Sequence, residues 1–92
     1  MAITRIHAIV EGRVQGVYFR DYTVKEACRL CLSGWVRNMG DGTVETEFQG
    51  EDSEVSRMIQ WLHKGSPLSR VAGVKTNPCL VVLEEKGFEV RY

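Results

Sequence analysis

Between an alternating apolar run and a helical pattern lies Gly12-Arg13-Val14-Gln15-Gly16-Val17-Tyr18-Phe19-Arg20. That placement puts a strand, a sharp turn and a helix start on one spot. The two glycines let the backbone turn tightly and leave no Cβ in the way, so successive N–H groups can converge on one point. Such a point attracts anions. A helix N-terminus adds roughly half a positive charge and several unpaired donors, and Arg20 adds a full charge on a planar fork suited to phosphate oxygens. The residues describe a phosphate cradle. The plainer alternative is a glycine-rich connection whose arginine pairs with a surface carboxylate. No GxxxxGK[ST] order is present, so this is not a Walker loop, and GxxxG is not the GxGxxG of a dinucleotide fold.

The run before the cradle alternates. Ile6, Ala8 and Val10 interleave with Arg5, His7 and Ile9, which predicts a strand over about residues 4 to 11 with one covered face. His7 has the opposite parity from the apolar set and is expected to be partly exposed. After the cradle, Phe19, Thr23, Ala27 and Leu30 recur at helical spacing and predict a helix over about residues 20 to 31. Arg20 then occupies the first turn, where the helix dipole disfavours a cation. Its presence there points to an anion beside it.

Further on, Trp35 to Asn38 reads as a short strand, Asp41-Gly42 as a hairpin turn, and Thr43 to Gly50 as an antiparallel partner with Val44, Thr46 and Phe48 on one face. Asp52 or Ser53 can cap a second helix carrying Val55, Met58, Ile59 and Leu62, with an exit near Gly65. Arg70 to Thr76 is expected as a fourth strand, Asn77-Pro78 as a break, Leu80 to Leu83 as an extension of the sheet, and Phe88 to Tyr92 as a final strand. The order β-α-β-β-α-β fits an α+β, ferredoxin-like split βαβ sandwich: an antiparallel sheet of four to five strands with two helices on one face.

A chain of 92 residues suffices for one domain and one core, so residues 1–92 are read as a single domain. Twelve basic and twelve acidic side chains cancel, so no overall field gathers nucleic acid or an anionic membrane surface, and anion binding must be local. No apolar run approaches the roughly 20 residues that span a bilayer, and no secretory signal is evident. The chain is expected to be cytoplasmic. Three cysteines, Cys28, Cys31 and Cys79, cannot close a disulfide framework. Cys28-x-x-Cys31 falls late in a helix with no second pair, and His7 and His63 are far apart, so free thiols are expected and no metal site. Trp35, Phe19 and Trp61 are expected in the core or in a pocket wall.

These residues resemble the acylphosphatase family essentially end to end. The family signature G-x-V-Q-G-V-x-F-R is met at every specified position by Gly12 through Arg20, and G-W-V-x-N by Gly34, Trp35, Val36 and Asn38. Asp41 to Glu45, the Trp61 to Pro67 segment and the terminal Tyr92 also match. The resemblance implies hydrolysis of acyl phosphates to a carboxylate and inorganic phosphate, with no cofactor, no metal and no covalent phosphoenzyme. It assigns phosphoryl binding to Arg20 and to the backbone amides of Gln15, Gly16, Val17, Tyr18 and Phe19, and positioning of the attacking water to Asn38. Implied partners are a small acyl phosphate and inorganic phosphate or sulfate as product or analogue. A monomer is expected, because no long apolar stripe is left over once the core is assigned. Two departures stand out. Many relatives carry glycine where this chain has Cys31, and Tyr18 fills a variable position of the cradle.

The chemistry is consistent on its own terms. The leaving group is a carboxylate whose conjugate acid has a pKa of roughly 4, so it departs without a proton and a general acid is dispensable. Phosphoryl transfer then asks for charge stabilisation and an aligned nucleophile. Asn38, both donor and acceptor, can hold a water in line, though it also fits as a turn former before the Asp41-Gly42 hairpin. A non-enzymatic anion-binding or regulatory module shares the same fold plan, but an RNA-binding sheet would ask for exposed aromatics and a basic surface. A related domain acting on carbamoyl phosphate inside a larger maturation protein is the other rival. The absence of zinc-finger cysteines favours a stand-alone enzyme.

Overall fold

A computed structural model describes residues 2–92. Strand β1 (Ile3–Arg13) is followed by helix α1 (Phe19–Arg29), strands β2 (Ser33–Asn38) and β3 (Val44–Glu51), helix α2 (Asp52–Lys64), and strands β4 (Arg70–Cys79) and β5 (Phe88–Arg91). They form one sheet in the order β4-β1-β3-β2-β5. The expected ferredoxin-like plan is realised, with one correction. Four of the strands pair antiparallel, but β5 runs parallel to β2, with Val36 opposite Val90. The reason is connectivity: the chain leaves β4 at one edge and crosses to the opposite edge, arriving in the same direction as β2.

Strand parity sorts the core. Val10 lies opposite Val44, Ala8 opposite Thr46 and Ile6 opposite Phe48, so one face of the sheet gathers the apolar set. Both helices cover that face, and Phe19, Ala27, Val55, Met58 and Leu62 close over it. On the other face β1 and β3 carry Arg5, His7, Glu45, Glu47 and Gln49. His7 Nε2 meets Glu45 Oε2 at 2.7 Å, a half-exposed strand pair and no part of a site. Trp35 is buried as expected, but on this open face rather than in the helix-covered core. Arg37 and Arg91 cover its ring, their guanidinium carbons 5.6 and 4.9 Å from the ring centre.

The C-terminal third departs most from expectation. Asn77-Pro78 does not break the fourth strand, which continues to Cys79; proline is tolerated because β4 is an edge strand. Leu80 to Leu83 does not extend the sheet. Leu80 and Leu83 are exposed, and the segment is held instead by side chains: the Gln49 amide bonds both the N–H and the C=O of Val82. The premise that no apolar surface is left over therefore does not hold at this segment.

Nearby, Arg5 is buried and meets Glu47 and Glu85 at 2.7 Å each, tying the same crossing to β1. Burial alone would raise the Glu85 pKa, but the hydrogen bond and charge of Arg5 hold it below the ordinary carboxylate value. A carboxyl lowered in the folded state contributes stability that is present above its unfolded pKa, about 4.3, and is lost as pH falls through the folded value. Urea unfolding from pH 6 to 3 is therefore expected to show stability falling below about pH 4, more shallowly in Glu85→Gln.

Helix α1 ends in a Schellman motif. Leu32 N–H bonds Ala27 C=O at 2.9 Å and Cys31 N–H bonds Cys28 C=O at 3.1 Å, which places Cys31 at the left-handed position with φ 58°. Glycine is preferred there, and a side chain costs on the order of 1 kcal/mol. Cys31→Gly is expected to raise Tm by about 4–8 °C, scanned calorimetrically under reducing conditions.

Candidate active site

The strand that enters the site runs two residues further than its sequence pattern suggests. A bulge between Glu11 and Gly12 shifts the register against β4, and Gly12 sits there at φ 125°, where a Cβ would stand 2.1 Å from the Arg70 carbonyl oxygen. Gly12 thus serves a close strand approach rather than the cradle. Gly16, at φ 74° with open space around it, is the glycine of the turn itself.

The loop from Val14 to Tyr18 is pinned from two sides. Val17 C=O accepts from the buried Ser66 hydroxyl at 3.1 Å. The Gln15 side-chain amide donates to the carbonyls of Met39 and Thr43 at 2.8 and 2.9 Å, fastening the loop to the β2–β3 hairpin. Within that hairpin Asp41 Oδ1 accepts from the Thr43 N–H at 3.0 Å and its hydroxyl at 2.6 Å. The expectation at Gln15 concerns only its backbone amide; the structure adds the side chain. Its signal in the sequence is a long amide set between glycines.

Helix α1 starts immediately after Tyr18, which has φ 59° and supplies no side-chain cap. The N–H groups of the first turn therefore lack partners within the helix. Arg20 lies in that turn, and its guanidinium carbon stands 5.2 Å from the centre of the Tyr92 ring. Asn38 closes β2 opposite Val44, with the parity of Val36, so its side chain belongs to the helix-covered face. Sheet register therefore carries Asn38 to the end of the molecule where α1 begins.

The two polar residues meet in a cleft of about 480 Å³ lined by Val14, Gly16, Tyr18, Phe19, Arg20, Asp21, Asn38 and Tyr92. Of the five expected amide donors, Gly16, Tyr18 and Phe19 are in the lining, while Gln15 and Val17 are outside it. Asn38 Oδ1 is buried and has no hydrogen-bond partner among the described residues. A buried carboxamide oxygen left unpaired costs about 1–3 kcal/mol, so it is an acceptor waiting for a donor the protein does not supply. This argues against a mere turn-forming role, in which the oxygen would bond the hairpin backbone. Arg20 is likewise in no ion pair among the described residues, unlike the surface-paired alternative.

Elsewhere, Cys28 and Cys31 are exposed free thiols and Cys79 is partly covered. No group of three or more His, Cys, Asp or Glu among the described residues could hold a metal ion. No helix among them is long and apolar enough to cross a membrane.

Comparison with known proteins agrees along the whole chain. The acylphosphatase family model matches residues 6–90. An acylphosphatase of Rubrobacter xylanophilus is 48% identical over 87 residues, spanning 95% of this chain and 79% of that protein. One from Pseudomonas paraeruginosa is 48% identical over 91 residues and 99% of both chains. The crystal structure of acylphosphatase from Bacillus subtilis superposes with a TM-score of 0.92 at 32% identity, covering 97% of this chain and 99% of that one.

Proposed function

The chain belongs to the acylphosphatase family and hydrolyses acyl phosphates to a carboxylate and inorganic phosphate, and from that premise we propose how its own residues divide the reaction. Arg20 and the amides of Gly16, Tyr18 and Phe19, the three expected donors that line the cleft, grip the phosphoryl oxygens. Asn38 binds the attacking water through its unpartnered Oδ1, which accepts a hydrogen bond from one water O–H and so turns a water lone pair toward phosphorus. The observation that carries this reading is that this buried orphan acceptor and the arginine share one cleft.

Water attacks in line, the new P–O bond forms as the bond to the acyl oxygen breaks, and the electron pair leaves with the carboxylate. The leaving group needs no proton. Asn38 cannot act as a base near neutrality, so the water proton passes to a phosphoryl oxygen and leaves as part of the product. Charge spread over the equatorial oxygens meets fixed donors and one guanidinium fork, the main source of stabilisation in phosphoryl transfer. No metal, cofactor or covalent enzyme intermediate enters this scheme.

Benzoyl phosphate turned over in H₂¹⁸O with excess chelator tests it. The label is expected in phosphate and not in benzoate, with full activity in chelator and a kcat that is flat between mild acid and neutrality. A bell-shaped profile traceable to one side chain, or loss of activity on chelation, would remove the scheme. The protein is further proposed to be cytoplasmic, in keeping with its three free cysteines; sedimentation at micromolar concentration tests the expected monomer, whose premise the exposed Leu80 to Leu83 segment removes.

A further inference from the structure

We propose that the Tyr18 ring is the acyl-binding wall of the site and biases the enzyme toward acyl phosphates whose acyl group is aromatic, over acetyl phosphate. The proposal rests on the reading of Arg20 and the loop as the phosphoryl grip, and it concerns the part of the substrate that this grip leaves unclaimed. Gly16, Arg20 and Asn38 supply the polar lining that the phosphoryl group and water require. Val14 and Phe19 are each 1% exposed, so they belong to the core and form the floor. The acyl group must therefore meet residues at the mouth.

Two aromatic residues of the lining are exposed, Tyr18 and Tyr92. Tyr92 faces the Arg20 guanidinium. Tyr18 is 68% exposed, outside the core cluster, and caps α1 without a side-chain bond. It also holds φ 59°, a conformation that disfavours any side chain and that glycine would adopt freely. Tyr18 lines the cleft beside Arg20 and carries a large, mostly exposed ring in a strained backbone position, a ring that serves neither packing nor capping. Strain of this kind is concentrated at functional sites, and an amphipathic ring presents a face on which a planar acyl group can stack. An acetyl group is too small to use that face.

The test compares kcat/KM for benzoyl phosphate and acetyl phosphate in wild type, Tyr18→Ala, Tyr18→Gly and Tyr18→Phe. The measured quantity is the ratio between the two substrates within each preparation, which cancels any common loss from a disturbed loop or a partly folded sample. Tyr18→Ala and Tyr18→Gly are expected to lower the benzoyl-to-acetyl ratio by about 3- to 10-fold, the range of one aromatic stacking contact, whereas Tyr18→Phe keeps it. The glycine variant fits the left-handed backbone without strain, so a ratio lost in both small variants is due to the ring and not to the loop. An unchanged ratio in Ala and Gly, or a ratio lost equally in Phe, overturns the proposal. Undiminished turnover of both substrates in Arg20→Gln would instead remove the phosphoryl grip, and the acyl wall with it.

Discussion

Arg20→Gln is expected to lower kcat by about 10³-fold or more, comparable with removal of an arginine finger in other phosphoryl-transfer sites. Inorganic phosphate should also inhibit less well, because the guanidinium contacts the oxygens in the ground state as well as in the transition state. The fold should be unaffected. Arg20 belongs to no ion pair among the described residues, and its one aromatic contact is with the exposed Tyr92. Arg20→Lys should recover little of the loss, since a point charge on a flexible stem does not reproduce two parallel donors in a plane. Steady-state rates with benzoyl phosphate, read beside phosphate inhibition and thermal unfolding, check all four expectations. A variant that keeps wild-type kcat would dismiss Arg20 from the chemistry.

Asn38→Ala should behave differently. Turnover should fall below about 1% of wild type, because a water no longer held in line loses the advantage of a fixed approach. Phosphate inhibition should be largely retained, since the proposed grip is made by Arg20 and the loop amides and not by Asn38. The substitution also deletes the buried unpartnered Oδ1, whose desolvation the folded protein bears, so stability should hold or rise slightly. A catalytic residue whose removal stabilises is hard to mistake for a structural one. Asn38→Asp should not rescue, because it sets a negative charge beside the incoming phosphoryl group.

The parts of this fold that were legible in the sequence are those where local pattern and tertiary need agree. Ile6, Ala8 and Val10 alternate because one sheet face is covered, and Phe19, Thr23 and Ala27 recur because one helix face is covered. The terminal crossing was not legible. Leu80 to Leu83 looks like strand, yet it is exposed and held by Gln49, with Arg5 tying down Glu85 just beyond it, and no local pattern records such long-range polar ties. The site divides in the same way. Arg20 and the turn at Gly16 were legible because they are contiguous, and the family resemblance added Asn38. The separate functions of the two glycines were not: Gly12 is dictated by the Arg70 carbonyl of a strand almost sixty residues away. Nor was the burial of Trp35 on the open face, which depends on two arginines from different strands closing over one ring.

The hold of Gln15 on Met39 and Thr43 makes activity a gauge of strand alignment. Asn38 reaches the cleft only because it shares parity with Val36; a slip of β2 by a single position against β3 would turn it out to the open face. The carbonyls that Gln15 grasps belong to the turn that sets this alignment, so the Val14–Tyr18 loop can dock only against a correctly threaded hairpin. Mispaired forms of the molecule would then be silent rather than indiscriminate hydrolases.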